Sequence, residues 1–546
     1  MPVSRVFSRC LVPATAALIA VSTIVTVHGR DDLHILHPVP TANPANPPAP
    51  AVQPNRIADN FALSLIAQGT DPIENPVGGI TQLGLLSDGT RTEPDQNLYL
   101  TFAHDPGGPT PGYHYGHHFL YQGHENAGNR AYITRINLDV TDPAHRVTLE
   151  TLDDPTGFNS IDGSTWDPFT RTLLFTQENG ANGGAIEVTP EWPPVVRTLD
   201  GVLGKGGYEG IHPDDQGNLL IIEDVGGTSV NVIKNDTTSA KTARQPNSFV
   251  YWFEPYHRWD LGAGGKLFAL QVSINHHPVV FGSDPVADVF SDTQLKLHTP
   301  GTTWPATWVL LHDTAVDGFL PFGANALAKL KLATPFKRPE NAQFLPGSHF
   351  KTFFFCNTGD TDINAGNQPA LAARGSWASI FRARFAPGSH NGTVAIAVLG
   401  DVAHASFDNL AFADDDTLLA TEDRGDMFHD QANRLDSVWA FDVGAQDHHA
   451  RRLIALGRDP VAAPVGEEDN EPTGLHASNG ATSVEDLLGT HDPSDDAHRL
   501  SLRPHRPDYD PGWFFLLNYK QIPPARWFVT EQHGQSHIYE IVRRGW

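Results

Sequence analysis

One short pattern recurs along most of this chain, and the recurrence restricts the fold more than any other feature. Each copy contains an apolar run, a polar turn, a second apolar run, a glycine-containing loop and a third apolar run. The clearest copies are IDGSTWDPFTRTLLFTQENG from residue 161, YEGIHPDDQGNLLIIEDVGG from 208, RPENAQFLPGSHFKTFFFCNTGD from 338 and FDNLAFADDDTLLATEDRG from 407. A more divergent copy is HHFLYQGHENAGN from 117, and a last one begins with NEPTGLHASNG at 470 and ends with RWFVTEQHGQSHIYEIV at 526.

The repeated unit predicts an all-β fold. Its apolar runs are short and rich in β-branched and aromatic residues, and 49 Gly and 43 Pro interrupt the 546 residues. Six such units indicate a six-bladed β-propeller with loop insertions. We expect the ring to close where NLYLTFA, residues 97 to 103, pairs with a C-terminal strand, because closure removes open sheet edges. A two-sheet sandwich is the alternative fold, but it would not naturally produce the repeat.

The first residues have the composition of a secretory signal peptide. Arg5 and Arg9 precede an apolar run over residues 11–27, and cleavage after position 29 is expected. Residues 1–29 are therefore predicted to be a signal peptide. Residues 30–56 are rich in proline and alanine, and we expect a disordered spacer there.

The remainder, residues 57–546, is predicted to form a single propeller domain. Its repeats are interrupted by insertions at about 276–334 and 442–510. Export to the periplasm or the extracellular space is expected, without stable membrane insertion after cleavage. Cys356 is then the only cysteine of the mature chain, so no intramolecular disulfide is expected. The sequence leaves the oligomeric state open.

The charge balance argues against nucleic-acid partners. The chain has 37 basic and 63 acidic residues, a formal net charge of -26. Such a surface repels phosphate backbones and anionic membranes. The acidity is explained either by solubility or by carboxylates that bind hard cations.

Acidic residues recur at the two open ends of the repeated hairpin. The start of one strand and the end of the next lie at the same hairpin edge, so Asp408 and Glu422 are expected side by side. Asp162 and Glu471 stand at the first position of two other units.

The predicted metal ligands are Glu125, Glu178, Glu209, Glu223, Glu340, Asp408 and Glu422. In a radial arrangement these ends converge on one mouth of the channel, where Ca²⁺, Mg²⁺ or Mn²⁺ would offset their repulsion. Alternatively, the carboxylates cap loops by accepting backbone hydrogen bonds.

Several of these motifs resemble those of the PhoX-type alkaline phosphatases and the wider PhoX-like propeller family. The resemblance is carried by KRPENAQF, FDNLAFADDDTLLATEDRG and STWDPFTRTLLFTQENG, and it covers about residues 57 to 546. It implies a six-bladed propeller, export and a channel-mouth site in which calcium and iron ions hydrolyse phosphate monoesters. It also implies that Glu340 is a metal ligand and that Arg338, the predicted catalytic residue, contacts the phosphate.

The sequence departs from this family at one ligand position. Where the phosphatases have a cysteine beside their glutamates, this chain has Thr176, Gln177, Glu178 and Asn179. Calcium is therefore the expected cofactor, while iron or another divalent metal is doubtful. Cys356 follows three phenylalanines and is interpreted as a buried packing residue.

The expected function is that of an exported, metal-dependent phosphoester hydrolase acting on a small phosphorylated substrate. Two alternatives stay open: a non-catalytic calcium-binding propeller that presents a binding face, and a metal-dependent lactonase-type hydrolase. Fold alone does not separate them, because function depends on the site. G-x-S-x-G, P-loop and H-E-x-x-H motifs are absent from the sequence, so it does not support serine-hydrolase, nucleotide-loop or zincin chemistry.

Overall fold

Antiparallel β-strands form most of the regular structure in the computed structural model of the chain. The structure describes residues 36–45, 52–125, 128–151, 157–232, 243–386, 388–414, 416–423, 425–444, 449–459, 470–482, 526–532 and 534–544. The predicted signal peptide and most of the 442–510 insertion lie outside these residues. In the described part of the chain, no helix is long and apolar enough to cross a membrane.

The strands and helices follow the repeat along the chain. The strands are β1 (Arg56–Ile57), β2 (Phe61–Ala67), β3 (Pro72–Val77), β4 (Ile80–Gln82), β5 (Glu93–Thr101), β6 (His118–Glu125), β7 (Ile133–Asn137), β8 (Val147–Leu149), β9 (Ile161–Asp167), β10 (Thr172–Gln177), β11 (Gly184–Val188), β12 (Val196–Thr198), β13 (Tyr208–Pro213), β14 (Leu219–Glu223), β15 (Ser229–Val230), β16 (Ala243–Arg244), β17 (Val250–Pro255), β18 (Gly265–Ile274), β19 (His277–Pro278), β20 (Trp304–Asp313), β21 (Pro339–Phe344), β22 (Thr352–Asn357), β23 (Ser379–Phe385), β24 (Asn391–Leu399), β25 (Phe407–Phe412), β26 (Thr417–Glu422), β27 (Ser437–Asp442), β28 (Arg451–Ala455), β29 (Glu471–Ser478), β30 (Arg526–Gln532) and β31 (Ile538–Arg543). The α-helices are α1 (Pro285–Val289), α2 (Asp292–Leu297), α3 (Thr314–Asp317), α4 (Ala324–Leu330), α5 (Ile363–Gly366), α6 (Pro369–Ala372) and α7 (Gly425–Ala432).

These strands form a propeller-like arrangement of four blades and one larger sheet. The blades have the strand orders β12-β11-β10-β9, β4-β3-β8-β7-β6-β5, β1-β28-β27-β26-β25 and β2-β31-β30-β29. The ten-stranded sheet has the order β13-β14-β17-β18-β20-β24-β23-β22-β21, with β19 paired to β18. The prediction of an all-β propeller is confirmed. Six separate blades are not observed among the described residues, because β20 joins strands of two repeat units into one sheet.

The first strands of the repeat units meet at the centre. β5, β9, β13, β21, β25 and β29 contact one another in this order, and β29 contacts β5. The ring closes differently from the prediction. β5 begins its own blade by pairing with β6, and it is β2 that pairs with the C-terminal strand β31. The reason is that the chain supplies two strands before β5 that complete other blades, since β1 likewise pairs with β28.

The core lies between neighbouring sheets. Along β14, Leu220 and Ile222 pack into one hydrophobic cluster, whereas Leu219 and Ile221 pack into another. Side chains alternate between the two faces of a strand, so a strand that is apolar at consecutive positions is covered on both faces. Strand β14 is therefore packed between two neighbouring layers of the core.

The described part of the predicted spacer differs from the expected disordered chain. Leu36 and Val39 are 6% and 7% exposed, and Leu36 belongs to the hydrophobic cluster that contains Leu453. The Asn43 side-chain amide donates a hydrogen bond of 2.6 Å to the carbonyl of Leu456. Apolar residues of this segment thus pack against the blade that contains β28. The 276–334 insertion forms β19, β20 and α1 to α4.

Candidate metal and phosphate site

The first strand of each repeat unit contains a β-bulge near its beginning. In β13, Tyr208 pairs with Glu223 and Ile211 pairs with Ile221, so two residues of β13 oppose one residue of β14. The same two-against-one register shift occurs in β5, β9, β21, β25 and β29. Bulges reorient a side chain and are common beside active sites. The first bulge position is therefore where each unit can direct a side chain toward a shared site.

Five of the six bulges begin with an acidic residue. These residues, each at most 7% exposed, are Asp95, Asp162, Glu209, Glu340 and Asp408. In the sixth bulge the position is Gly474, which has a φ of +59°. A Cβ atom there would lie 2.5 Å from Asn97 Nδ2. The neighbouring strand therefore excludes a side chain from the sixth position.

A second set of acidic residues follows the second strand of several units. The backbone N–H groups of Glu178, Asp224 and Asp423 donate to the carbonyls of Ser160, Gly207 and Ser406 at 2.9, 2.8 and 2.7 Å. Because each of the three residues makes the same kind of backbone hydrogen bond, they occupy equivalent positions in their units. Glu125 has the corresponding place in the first unit, because His124 pairs with Pro94 just before the bulge.

The five bulge residues together with Glu125 and Glu178 form connected groups of carboxylates. Within each group the oxygen atoms lie within 4.8 Å of one another, and the groups are Asp95–Glu125–Asp162, Asp162–Glu178–Glu209 and Glu209–Glu340–Asp408. Asp162 belongs to two groups, and so does Glu209. Five of the seven ligands predicted from sequence thus come together, although only the described residues enter this comparison.

Burial and mutual repulsion make these carboxylates hard to ionise together. Burial raises the pKa of Asp95 to about 7, and burial together with the Asp224 charge raises the pKa of Glu178 to about 8. Burial, with further repulsion from Glu340, also raises the pKa of Glu209 well above its ordinary value. A divalent cation would reverse this effect, since a nearby positive charge favours the ionised form.

The donor set fits hard divalent cations. Glu125 Oε1 and Glu209 Oε2 are buried and have no hydrogen-bond partner among the described residues. Buried oxygens without donors are costly unless another group binds them. Carboxylate oxygens suit Ca²⁺, Mg²⁺ or Mn²⁺. Cys356 is fully buried and its Sγ–H donates to the carbonyl of Asp408, as expected for a packing residue rather than a thiolate ligand.

Arg338 is the basic residue that borders the carboxylate groups most directly. Its Nε lies 2.8 Å from Asp224 Oδ2, and its Nη2 lies 3.4 Å from Glu340 Oε1. Its φ of +52° is unusual for a residue with a side chain, and Ser160 and Ser406 have similar values, 41° and 53°, two positions before their own bulges. The positive φ recurs at this position in several units, and in Arg338 it sets the direction in which the side chain leaves the backbone.

Arg244 adds a second positive charge near this edge. Its backbone N–H donates to Asp360 Oδ1 at 2.7 Å, and Asp360 Oδ2 also binds Lys337. Burial and the neighbouring Arg338 charge lower the pKa of Arg244. The sequence analysis did not single out Arg244, because it lies on a two-residue strand outside the repeat.

The structure does not bring Glu223 and Glu422 into the carboxylate groups. Glu223 Oε2 accepts hydrogen bonds from Tyr251 Oη at 2.8 Å and from Asn325 Nδ2 at 3.0 Å. Glu422 Oε1 accepts a bond from the Ala405 N–H and lies 3.1 Å from Arg434 Nη2. Successive side chains of a strand point to opposite faces, so the next residue in each unit, Asp224 or Asp423, has the place predicted for these glutamates.

Asp95, Asp224 and Asp423 are the acidic residues of the two sets that the sequence analysis missed. Asp95 stands two residues before NLYLTFA, and its unit has no apolar run ahead of the bulge that would reveal the repeat. Asp224 directly follows Glu223 in LLIIED. A signal was present in each case, since Asp224 and Asp423 directly follow a predicted glutamate and Asp95 lies two positions before the NLYLTFA motif.

Fold and site together define an all-β, propeller-like protein with a buried group of carboxylates beside an arginine. Scans of protein-family models and of curated proteins gave no match. A solved structure with a similar fold is Pseudomonas fluorescens PhoX in complex with vanadate, a transition state analogue. The two chains are 11% identical with a TM-score of 0.50, and the alignment covers 93% of this chain and 98% of PhoX. At this identity the similarity concerns the fold, and at that level it confirms the resemblance predicted from the motifs.

Two other solved structures align much more weakly. The catalytic domain of Coprinopsis cinerea GH62 α-L-arabinofuranosidase is 8% identical with a TM-score of 0.29, covering 72% of this chain and 94% of that one. The PQQ-bound aldose sugar dehydrogenase from Streptomyces coelicolor is 11% identical with a TM-score of 0.23, covering 73% and 99%. Neither alignment supports a conclusion about this protein.

Proposed function

We propose that this protein is an exported, metal-dependent phosphoester hydrolase that acts on phosphate monoesters. The observation that carries the proposal is the position of Arg338, whose guanidinium lies 3.4 Å from Glu340 at the edge of the carboxylate groups. Hard cations and an arginine together provide the positive charge that a phosphate dianion requires. PhoX, whose fold is similar, was solved with vanadate as a transition state analogue, which supports the same class of substrate.

The proposal includes a ring of six blades. The ten-stranded sheet would then be two blades that share β20, one beginning with β13 and the other with β21. The cyclic contacts of the six first strands support this interpretation. All six bulges would then face one mouth of the channel in a single domain over residues 57–546, after a signal peptide at 1–29.

The chain's own residues have distinct roles in this proposal. Asp162, Glu209 and Glu340 would hold divalent cations, with Glu125, Glu178, Asp95 and Asp408 completing their coordination. When bound, such cations neutralise phosphate charge and lower the pKa of an attacking water. Arg338 would use the N–H groups that Asp224 and Glu340 leave free to bind non-bridging phosphate oxygens and to stabilise the charge that develops on them. Calcium fits the all-oxygen donors, whereas iron would lack the family's cysteine.

One observation favours the alternative of a non-catalytic calcium-binding propeller. The five bulge carboxylates are each at most 7% exposed, and Arg338 is already paired with two of the acidic side chains around it. Cations held by such groups would stabilise the ring without contacting a substrate. This alternative predicts bound calcium without phosphatase activity.

The test is p-nitrophenyl phosphate hydrolysis by the purified protein, coupled to metal analysis. We expect activity that a chelator abolishes and that added calcium restores, with loss of activity in Arg338→Ala and Glu340→Gln. The matched control is Arg384→Ala, because Arg384 is exposed on β23. Calcium-loaded protein that does not cleave the ester would refute the hydrolase proposal and support the binding propeller.

A further inference from the structure

A second group of metal-ligating side chains lies apart from the carboxylate groups. Asp459, Glu531 and His537 bring one ligand atom each within 4.8 Å of the others. His537 Nδ1 lies 3.3 Å from Glu531 Oε2 and 3.6 Å from Asp459 Oδ2. None of these residues belongs to a repeat bulge, and none takes part in the proposed hydrolysis.

Two buried oxygens at this cluster lack a well-formed hydrogen bond within the described part of the chain. Glu531 Oε2 has the His537 Nδ1 contact at 3.3 Å, Asn470 Oδ1 has no such contact, and each residue is 1% exposed. Asn470 approaches the cluster directly, since its Nδ2 lies 3.5 Å from Asp459 Oδ1. A Cβ atom at Gly534, where φ is +52°, would lie 2.8 Å from Asp459 Oδ2 and 3.1 Å from Asn470 Oδ1. Asp459 Oδ2 and Asn470 Oδ1 therefore border one small space that the absence of a side chain at Gly534 keeps open.

The spacing of the ligand atoms matches a tetrahedral site. Zinc binds imidazole nitrogen and carboxylate oxygen at about 2.0–2.2 Å, so neighbouring ligands of a tetrahedral site lie about 3.3–3.6 Å apart. The distances from His537 Nδ1 to the two carboxylate oxygens, 3.3 and 3.6 Å, fall in this range. An ion could therefore bind with little rearrangement of these side chains.

The surrounding hydrogen bonds hold the ligands in place. The Asn55 side-chain amide donates to Glu531 Oε1, and Asn55 Oδ1 accepts the Gly457 N–H at 2.8 Å. The Gln535 N–H donates to Asp459 Oδ2 at 2.8 Å. Such contacts orient metal ligands in known sites.

We propose that Asp459, Glu531 and His537 form a second metal site, selective for a zinc-like transition-metal cation. An imidazole ligand suits zinc better than calcium, which takes oxygen ligands. Asn470 Oδ1 is positioned to provide a further oxygen. The site joins the segment after β28 to the β30–β31 hairpin, where the N-terminal strands β1 and β2 complete two blades. Bound zinc would fasten these two blades together.

The experiment uses the full-length exported protein, stripped with chelator and then saturated with calcium. Calorimetric titration with zinc is expected to show one additional site per chain, and zinc is expected to raise the melting temperature by about 2 °C or more. His537→Gln and Asp459→Asn should each weaken zinc binding by at least about tenfold. Glu209→Gln serves as the control, because it alters the carboxylate groups of the channel and leaves this cluster intact.

Two outcomes support the proposal and three would overturn it. Loss of the additional zinc equivalent in the cluster variants, with its retention in Glu209→Gln, supports the site. Failure of the wild-type protein to bind zinc after calcium saturation overturns it, as does zinc binding that persists when His537→Gln and Asp459→Asn are combined in one double variant. If the variants do not fold, anomalous scattering at the zinc edge from wild-type crystals locates the bound zinc instead. A peak between His537 and Glu531 supports the site, and a peak elsewhere contradicts it. Because zinc binding and ester hydrolysis are measured separately, the two proposals can fail independently.

Discussion

Arg338 and Asp224 form an ion pair of 2.8 Å that connects two repeat units at the edge of the carboxylate groups. The arginine begins the unit of β21, and the aspartate follows β14 of the preceding unit. The pair orients the guanidinium and also neutralises part of its charge. These two effects can be separated by substitution, and the proposed function makes a different prediction for each.

Replacing Asp224 should change phosphate binding in opposite directions, depending on the substitute. Asp224→Asn keeps an oxygen that can accept the Nε–H bond but removes the negative charge, so inorganic phosphate should inhibit about fivefold more strongly, about 1 kcal/mol. Asp224→Ala loses both, so Arg338 is less well oriented and phosphate inhibition should weaken. The measurement is the inhibition constant of phosphate for p-nitrophenyl phosphate hydrolysis. Equal effects of the two substitutions would contradict a role for Asp224 in positioning Arg338.

Removing the guanidinium of Arg338 should affect the reaction more than metal binding. Arg338→Ala is expected to lower kcat/KM by about 10²- to 10³-fold, the usual loss when a group that stabilises transition-state charge is deleted. Calcium content should stay at the wild-type level, because the carboxylates remain. Parallel kinetic and metal measurements check this. Unchanged kcat/KM in the variant would show that Arg338 does not touch the substrate.

The sixth bulge should not tolerate a side chain. Gly474→Ala would place a Cβ atom 2.5 Å from Asn97 Nδ2 and 2.7 Å from the carbonyl of Asp95. We expect a loss of about 2 kcal/mol or more in the free energy of unfolding, because strain at positive φ adds to overlap with a packed neighbour. Gly78→Ala is the matched control, since Gly78 has a φ of +56° but no atom lies within 4 Å of the place its Cβ would take. Denaturant titration of both variants should show the larger loss at Gly474.

Burial of His298 should make part of the stability depend on pH. Burial lowers the pKa of His298 to about 4, and its Nδ1 lies 2.8 Å from the Gln294 carbonyl. The unfolded chain takes up a proton near pH 6.5 but the native state does not, so stability is full above pH 6.5 and falls toward pH 4. Between pH 7.5 and 5 the wild-type protein should lose about 2 kcal/mol more than His298→Gln. Urea unfolding at the two pH values measures this difference, and parallel losses would contradict it.

The sequence predicted the architecture better than the site, and particular residues show why. The apolar runs in LLIIE and FDNLAF repeat with their turns, so the strands and their order around the ring could be inferred. Glu223 was chosen where Asp224 has the equivalent place, because side-chain direction beside a bulge depends on the backbone register. A pattern of residue types does not reveal that register. Arg338 and Glu340, which the sequence predicts to act in one site, lie 3.4 Å apart, since only a proline separates them along the chain.

Contacts between distant parts of the chain were beyond this kind of inference. Asp459 lies within the 442–510 insertion, whereas His537 belongs to the last repeat copy, RWFVTEQHGQSHIYEIV, and nothing in the sequence indicates that the two residues meet. Leu36 lies in the predicted spacer just before its proline-rich part, yet it packs in the same cluster as Leu453. Similarly, β20 joins two repeat units although nothing in its own sequence indicates a shared sheet. These relationships depend on which surfaces meet after folding.

Carboxylates at the bulges are proposed to bind the cations, and Glu209 tests this proposal directly because it belongs to two of the groups. The measurement is the number of calcium ions bound per chain at equilibrium in the wild-type protein, Glu209→Gln and Glu223→Gln. We predict that Glu209→Gln loses at least one calcium ion, and that Glu223→Gln keeps the wild-type number because that side chain bonds to Tyr251 and Asn325. Full calcium binding by Glu209→Gln, or loss of calcium in Glu223→Gln alone, would contradict the account.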